Sequence, residues 1–125
     1  MTAGLTFDTG ALISLERRRA RIAQVYTTAV QNRIPITVPW VVLVEWWRGP
    51  SDARDLILRG VRIEAPDLAL AKVAGEALAA IPSATTIDAI VMASAARRGD
   101  MVYTSDYGDL ERLRSRFPSV RVFGV

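Results

Sequence analysis

The chain has 125 residues, half of them hydrophobic, with no cysteine and no histidine. That length bounds it to one domain able to bury a sizeable core. The missing side chains exclude disulfides, thiolate nucleophiles, cysteine- or histidine-ligated metals, a Ser-His-Asp triad and any histidine-based ribonuclease mechanism. The formal charge is only +3, yet fifteen of the 16 basic residues are arginine, Lys72 being the exception. Guanidinium is the better fork for phosphate oxygens, which brings a nucleic-acid substrate into view; a codon bias toward arginine and alanine explains the same composition equally well.

In chain order, Leu5 to Phe7 reads as a strand ending on Asp8, followed by a helix from Thr9 to about Arg19 and another from Arg21 to Asn32. Arg17, Arg18, Arg19 and Arg21 form the densest positive patch, either a solvated helix face or an RNA-binding surface. Ile34 to Pro39 reads as a strand between prolines. Trp40 to Trp47 is ambiguous, because its β-branched and aromatic residues favour a strand. Pro39 before it and Gly49-Pro50 after it favour a short helix, which is the reading taken here. A helix from Ser51 to Gly60, a strand from Val61 to Ala65 and an alanine-rich helix from Pro66-Asp67 to Ile81 follow. Thr85 or Thr86 caps a helix running from Ile87 to Arg98 and closed by Gly99. Met101 to Thr104 is a strand, Ser105-Asp106 a turn, Tyr107 to Arg116 a helix, and Val120 to Phe123 the last strand. Strands alternating with helices through short turns imply a three-layer α/β/α sandwich around a mostly parallel sheet, occupied by one domain over residues 1–125. No charged region precedes an apolar run at the amino terminus and the apolar runs are short, so a soluble cytoplasmic protein with no membrane association is expected.

Four acids are the chemistry-bearing residues of this pattern: Asp8, Glu45, Asp88 and Asp106. Each has a plain structural explanation. Asp8 caps the helix after it, Asp88 completes a capping box with Thr85, Asp106 caps the last helix, and Glu45, in an apolar run, pairs with Arg48. Parallel topology nevertheless carries all four to the carboxyl edge of one sheet, where ligands of open α/β sheets bind. A cap contributes about 1 kcal/mol. Two carboxylates about 4 Å apart repel by about 1 kcal/mol in water and about 4 kcal/mol near a protein surface. Gathering four therefore calls for a hard cation, Mg²⁺ or Mn²⁺.

These residues carry a family resemblance. Asp8-Thr9 after the first strand, Glu45 ahead of Gly49, Thr86-x-Asp88-Ala89-x-x-x-Ala93 on a helix and Thr104-Ser105-Asp106 after the fourth strand resemble a PIN domain. The length is similar to that of the VapC-type toxin ribonucleases of toxin–antitoxin modules. The tryptophans Trp40, Trp46 and Trp47 around Glu45 depart from the family pattern, and both core packing and an interface are open to them.

The resemblance implies a PIN-like fold in which Asp8, Glu45, Asp88 and Asp106 are catalytic and hold Mg²⁺ or Mn²⁺. It implies an endoribonuclease toxin in which a water activated by the cation hydrolyses RNA to 5′-phosphate and 3′-hydroxyl ends. Thr9, Thr104 and Asp109 would support the site, and Arg17, Arg18, Arg19 and Arg48 would meet the RNA. The partners it implies are the RNA substrate, a VapB-type antitoxin and a second copy in a homodimer. Two other readings share the pattern: a receiver-like phosphoacceptor domain and a non-catalytic α/β binding module. The first wants an adjacent acidic pair after the first strand and a lysine near the site, whereas Asp8 stands alone and Lys72 falls within a predicted helix.

Overall fold

Short runs rich in β-branched and aromatic side chains make most of the strands, and the first two pass directly into the residues that start a helix, Asp8 and Pro39. The computed structural model describes residues 3–125. Along the chain these are β1 (Leu5–Phe7), α1 (Thr9–Glu16), α2 (Ala20–Gln31), β2 (Ile36–Pro39), α3 (Trp40–Trp46), α4 (Asp52–Arg59) and β3 (Arg62–Glu64). There follow α5 (Leu68–Ala80), α6 (Thr86–Arg98), β4 (Met101–Thr104), α7 (Tyr107–Glu111), a 3₁₀ turn (Arg112–Ser115) and β5 (Arg121–Gly124).

The strands form one five-stranded sheet in the order β3-β2-β1-β4-β5. Every pairing is parallel, so the sheet is wholly rather than mostly parallel. From β1 the chain steps outward through β2 to β3, then returns to the other side of β1 to lay down β4 and β5. The direction of winding therefore reverses between β1 and β4. Right-handed crossovers place α1 to α4 on one face and α5 to α7 on the other, giving the expected three layers. A receiver-like domain has the order 2-1-3-4-5, so the observed order removes that reading.

Phe7, Leu12, Ile36, Val38, Met92 and Val102 are fully buried between the layers. On the α6 face, a polar cluster ties the sheet together. The Asp100 carboxylate, 4% exposed, accepts from Gly4 N–H at 3.1 Å, Thr6 Oγ1 at 2.9 Å and Arg98 Nε at 2.9 Å. Arg98 also reaches Thr6 Oγ1 at 2.8 Å and pairs with Glu64, linking β1, β3 and the end of α6. Gly99 closes α6 in the left-handed region at φ +74°, a conformation that glycine adopts without penalty. Among the described residues no helix is long and apolar enough to cross a membrane.

Several boundaries differ from the sequence reading. The first helix stops at Glu16, because Arg18 takes a left-handed backbone (φ 56°) and Arg19 becomes the residue capping α2. Arg17, Arg18 and Arg19 are thus an exposed inter-helix turn, not a helix face. The Trp40–Trp46 segment is helical, as the proline signals required. Within it Trp46 is core at 3% exposure and Trp40 is 39% exposed. The last helix gives way to the 3₁₀ turn after Glu111.

Candidate active site

Reversal of winding leaves a crevice between the carboxyl ends of β1 and β4, the usual binding place in an open α/β sheet. Asp8 stands at its floor, 5% exposed, directly after β1. Its Oδ1 accepts from Ala11 N–H at 2.8 Å, which caps α1. Its Oδ2 accepts from the Thr104 hydroxyl at the end of β4. Thr104 Oγ1 in turn accepts the Asp106 N–H at 2.8 Å. One threonine hydroxyl therefore bridges the two strand ends and orients the carboxylate.

Desolvation pushes the Asp8 carboxyl up from an ordinary 3.8 to about 6; the Thr104 and Ala11 hydrogen bonds oppose that rise, and the charges of Asp88 and Asp106 add to it. Asp88, half-buried in the first turn of α6, is also raised, first by desolvation and then, against a hydrogen bond to Thr85, by Asp109, Asp106 and Glu45. Asp8, Glu45, Asp106 and Asp109 thus each lie within electrostatic reach of Asp88.

They do not form a closed cage. Among the described residues no three carboxylates stand close enough to grip one ion together. Their mutual repulsion opposes a tighter arrangement. Glu45 is exposed, not enclosed by its apolar neighbours, and makes no ion pair with Arg48 among the described residues. Arg48 instead donates to the carbonyls of Val44 at 3.2 Å and Trp47 at 2.8 Å. Asp106 is exposed and its side chain caps nothing, contrary to the plain explanation for it. Asp109 is held by Arg112. The capping role of Thr85 is real, since its Oγ1 accepts from Asp88 N–H at 3.2 Å.

In chemistry the residues suit a hard cation. The donors are all oxygen, the central one is buried and repelled by its neighbours, and the Thr9 hydroxyl beside it is buried without a hydrogen-bond partner. Of the four acids Asp8 is buried, Asp88 is half-buried, and Glu45 and Asp106 are exposed.

Two features here carry no sequence signal of their own. A Cβ on Gly10 would stand 2.7 Å from the Ser105 Cβ and 3.2 Å from its nitrogen, so only glycine lets the Ser105-Asp106 turn lie against the start of α1. Glu16 joins three elements: its Oε1 accepts from Trp46 Nε1 at 3.0 Å and its Oε2 pairs with Arg54 at 3.0 Å. Gly10 reads in sequence as an ordinary helix-start residue, and Glu16 as a solvated helical acid.

No family model and no curated protein matches this sequence. Solved structures do. The fold is similar to a chain of VapBC2 from Rickettsia felis bound to a DNA fragment from their promoter, with TM-score 0.76 and 12% identity over 97% of this chain and 98% of that one. A chain of DNA-bound VapBC from Salmonella typhimurium gives 0.71 and 17% identity over 98% of each. A chain of FitAB bound to a DNA fragment gives 0.67 and 18% over 96% of this chain and 94% of that one. At these identities the likeness establishes a shared fold, the PIN-like three-layer arrangement expected from the sequence.

Two measurements check the geometry. Gly10→Ala should destabilise the protein by about 1–3 kcal/mol through overpacking against Ser105, and Ser105→Gly in the same chain should recover most of it. An unchanged urea midpoint for Gly10→Ala would contradict the contact. The second concerns pH. With a folded-state value of about 6 against 3.8 unfolded, Asp8 binds its proton more tightly in the folded chain. Its contribution is therefore most favourable below about pH 4 and is lost as pH rises through 6, by up to about 3 kcal/mol in protein free of divalent metal. Asp8→Asn should flatten urea-measured stability across that range relative to wild type; identical slopes would show that Asp8 is not the desolvated group described.

Proposed function

We propose that this chain is a divalent-metal-dependent endoribonuclease that serves as the toxin of a type II toxin–antitoxin module, acting as a single nuclease domain in the cytoplasm. The observation that carries the reading is the coupling of Asp8 with Asp88 and Asp106 across the β1–β4 crevice, in a fold similar to chains of VapBC and FitAB complexes.

Asp8 and Asp88 would hold Mg²⁺ or Mn²⁺, with Glu45 and Asp106 completing the set. A bound ion of this kind supplies Lewis acidity at the phosphodiester and lowers the pKa of water. The remaining work belongs to the chain. Thr104 fixes the Asp8 carboxylate through Oδ2, Ala11 N–H fixes Oδ1, and the Thr9 hydroxyl is available to an incoming oxygen. Asp109 acts from the surround, raising Asp88. No histidine is present to drive attack by a 2′-hydroxyl, so the reaction is hydrolysis by in-line water attack, leaving 5′-phosphate and 3′-hydroxyl ends.

Arg17, Arg18, Arg19 and Arg48 are the candidate RNA contacts, all of them exposed. A VapB-type antitoxin is the inhibitory partner proposed by analogy with the VapBC and FitAB complexes. Homodimer formation extends the same analogy.

Mapping the 5′ ends of total cellular RNA after induction of wild type and of Asp88→Asn tests the reading. Discrete new 5′-phosphate ends with wild type alone are expected. The same ends with both proteins, or none with either, would overturn it.

A further inference from the structure

A cavity of about 330 Å³ opens beside Glu45, lined by α1, α3 and α4. Three guanidinium groups reach it: Arg17, Arg48 and Arg54. Their circumstances differ. Arg54 is fixed in place, paired with Glu16 at 3.0 Å and donating to the Gly49 carbonyl at 3.1 Å, yet its Nε is buried with no acceptor. Arg48 is anchored through one nitrogen to the carbonyls that end α3 and has no carboxylate partner among the described residues. Arg17, on the exposed turn after α1, has none either.

The acids of the cavity do not balance this. Glu16 is spent on Trp46 and Arg54, which leaves Glu45 facing two unpaired cations. A guanidinium carries five donors and no acceptor, so the unused N–H groups here call for an acceptor-only, negatively charged group. A phosphate meets that need with several oxygens at once, and the planar fork of arginine matches it. Arg18, by contrast, lines a different groove between α1, α2 and α4, so the arginine run is divided between two surfaces.

We propose that this notch is a phosphate subsite for the RNA strand: Arg17 and Arg48, both exposed, take a backbone phosphate flanking the one that reaches Asp8 and Asp88, and Arg54, held from behind by Glu16, adds its charge without touching the strand. The assignment rests on the nuclease reading and adds to it the place where the strand is gripped. Glu45 lines the notch and also repels Asp88, so the notch lies beside the acid edge. Glu16 also lines the notch, with one oxygen taken by Trp46 Nε1 and the other by Arg54.

The test is fluorescence anisotropy of a short single-stranded oligoribonucleotide bound to the Asp88→Asn protein across a series of salt concentrations. Each of Arg17→Ala and Arg48→Ala in that background should flatten the slope of log affinity against log salt by about 0.7, one phosphate contact on a single strand. Arg121→Ala, on the edge strand β5, should leave it unchanged. Wild-type slopes for both Arg17→Ala and Arg48→Ala would overturn the subsite. So would unchanged RNA binding accompanied by arginine-dependent binding of poly-glutamate, which would give the notch to an acidic protein segment. RNA cleavage by the wild type, followed separately, keeps the two claims apart. Cleavage with unaltered slopes removes only the notch, whereas altered slopes without cleavage remove the nuclease and leave the phosphate site.

Discussion

A carboxylate buried at the end of a central strand, among other carboxylates, is a costly thing to build. Asp8 is 5% exposed and is repelled by Asp88 and Asp106, and both of its oxygens are nonetheless held by donors from the fold. Only one of those donors, Ala11 N–H, is explained by helix capping. The other, Thr104, comes from a strand almost a hundred positions away, placed beside β1 by the reversal of winding. The bridge from Asp106 N–H through Thr104 to Asp8 exists because β1 and β4 are neighbours, and the flanking contact of Gly10 with Ser105 exists for the same reason.

The rest of the chain can be understood as support for that juncture. On the α6 face, Asp100, Arg98, Thr6 and Glu64 form a second polar cluster in which opposite charges meet directly. It contrasts with the acid edge, where like charges gather. The first arrangement is satisfied within the chain, and the second calls for a positive partner from outside. On the proposed function that partner is a divalent ion. The Glu16 link between Trp46 and Arg54 then keeps the segment bearing Glu45 close to the helix that follows Asp8.

Much of this was legible in the sequence, for identifiable reasons. Strand and helix order followed from apolar runs punctuated by Pro39, Gly60 and Gly99, and the ambiguous Trp40–Trp46 stretch was decided correctly by its flanking prolines. Asp8, Asp88 and Asp106 were located because residues that end strands or open helices in a parallel sheet share one edge. Exposure was less legible. Glu45 sits in an apolar run yet faces solvent, because a seven-residue helix can turn one position outward while Val42 and Trp46 go in. The arginine run departs from the helical spacing its sequence predicts, because the left-handed backbone at Arg18 has no sequence signature. Gly10 and Glu16 were missed because their importance lies in contacts with Ser105, Trp46 and Arg54, which are tertiary and leave no periodicity.

The Asp8 carboxyl is held in a desolvated, negatively charged environment, which on the proposed function a divalent cation relieves. The most direct test is carbon-13 NMR titration of the Asp8 side-chain carboxyl, with and without Mg²⁺. The expected midpoint is near 6 in the absence of the ion and moves well below that when Mg²⁺ is added. A midpoint at an ordinary aspartate value without the ion, or one near 6 that Mg²⁺ does not move, would contradict it.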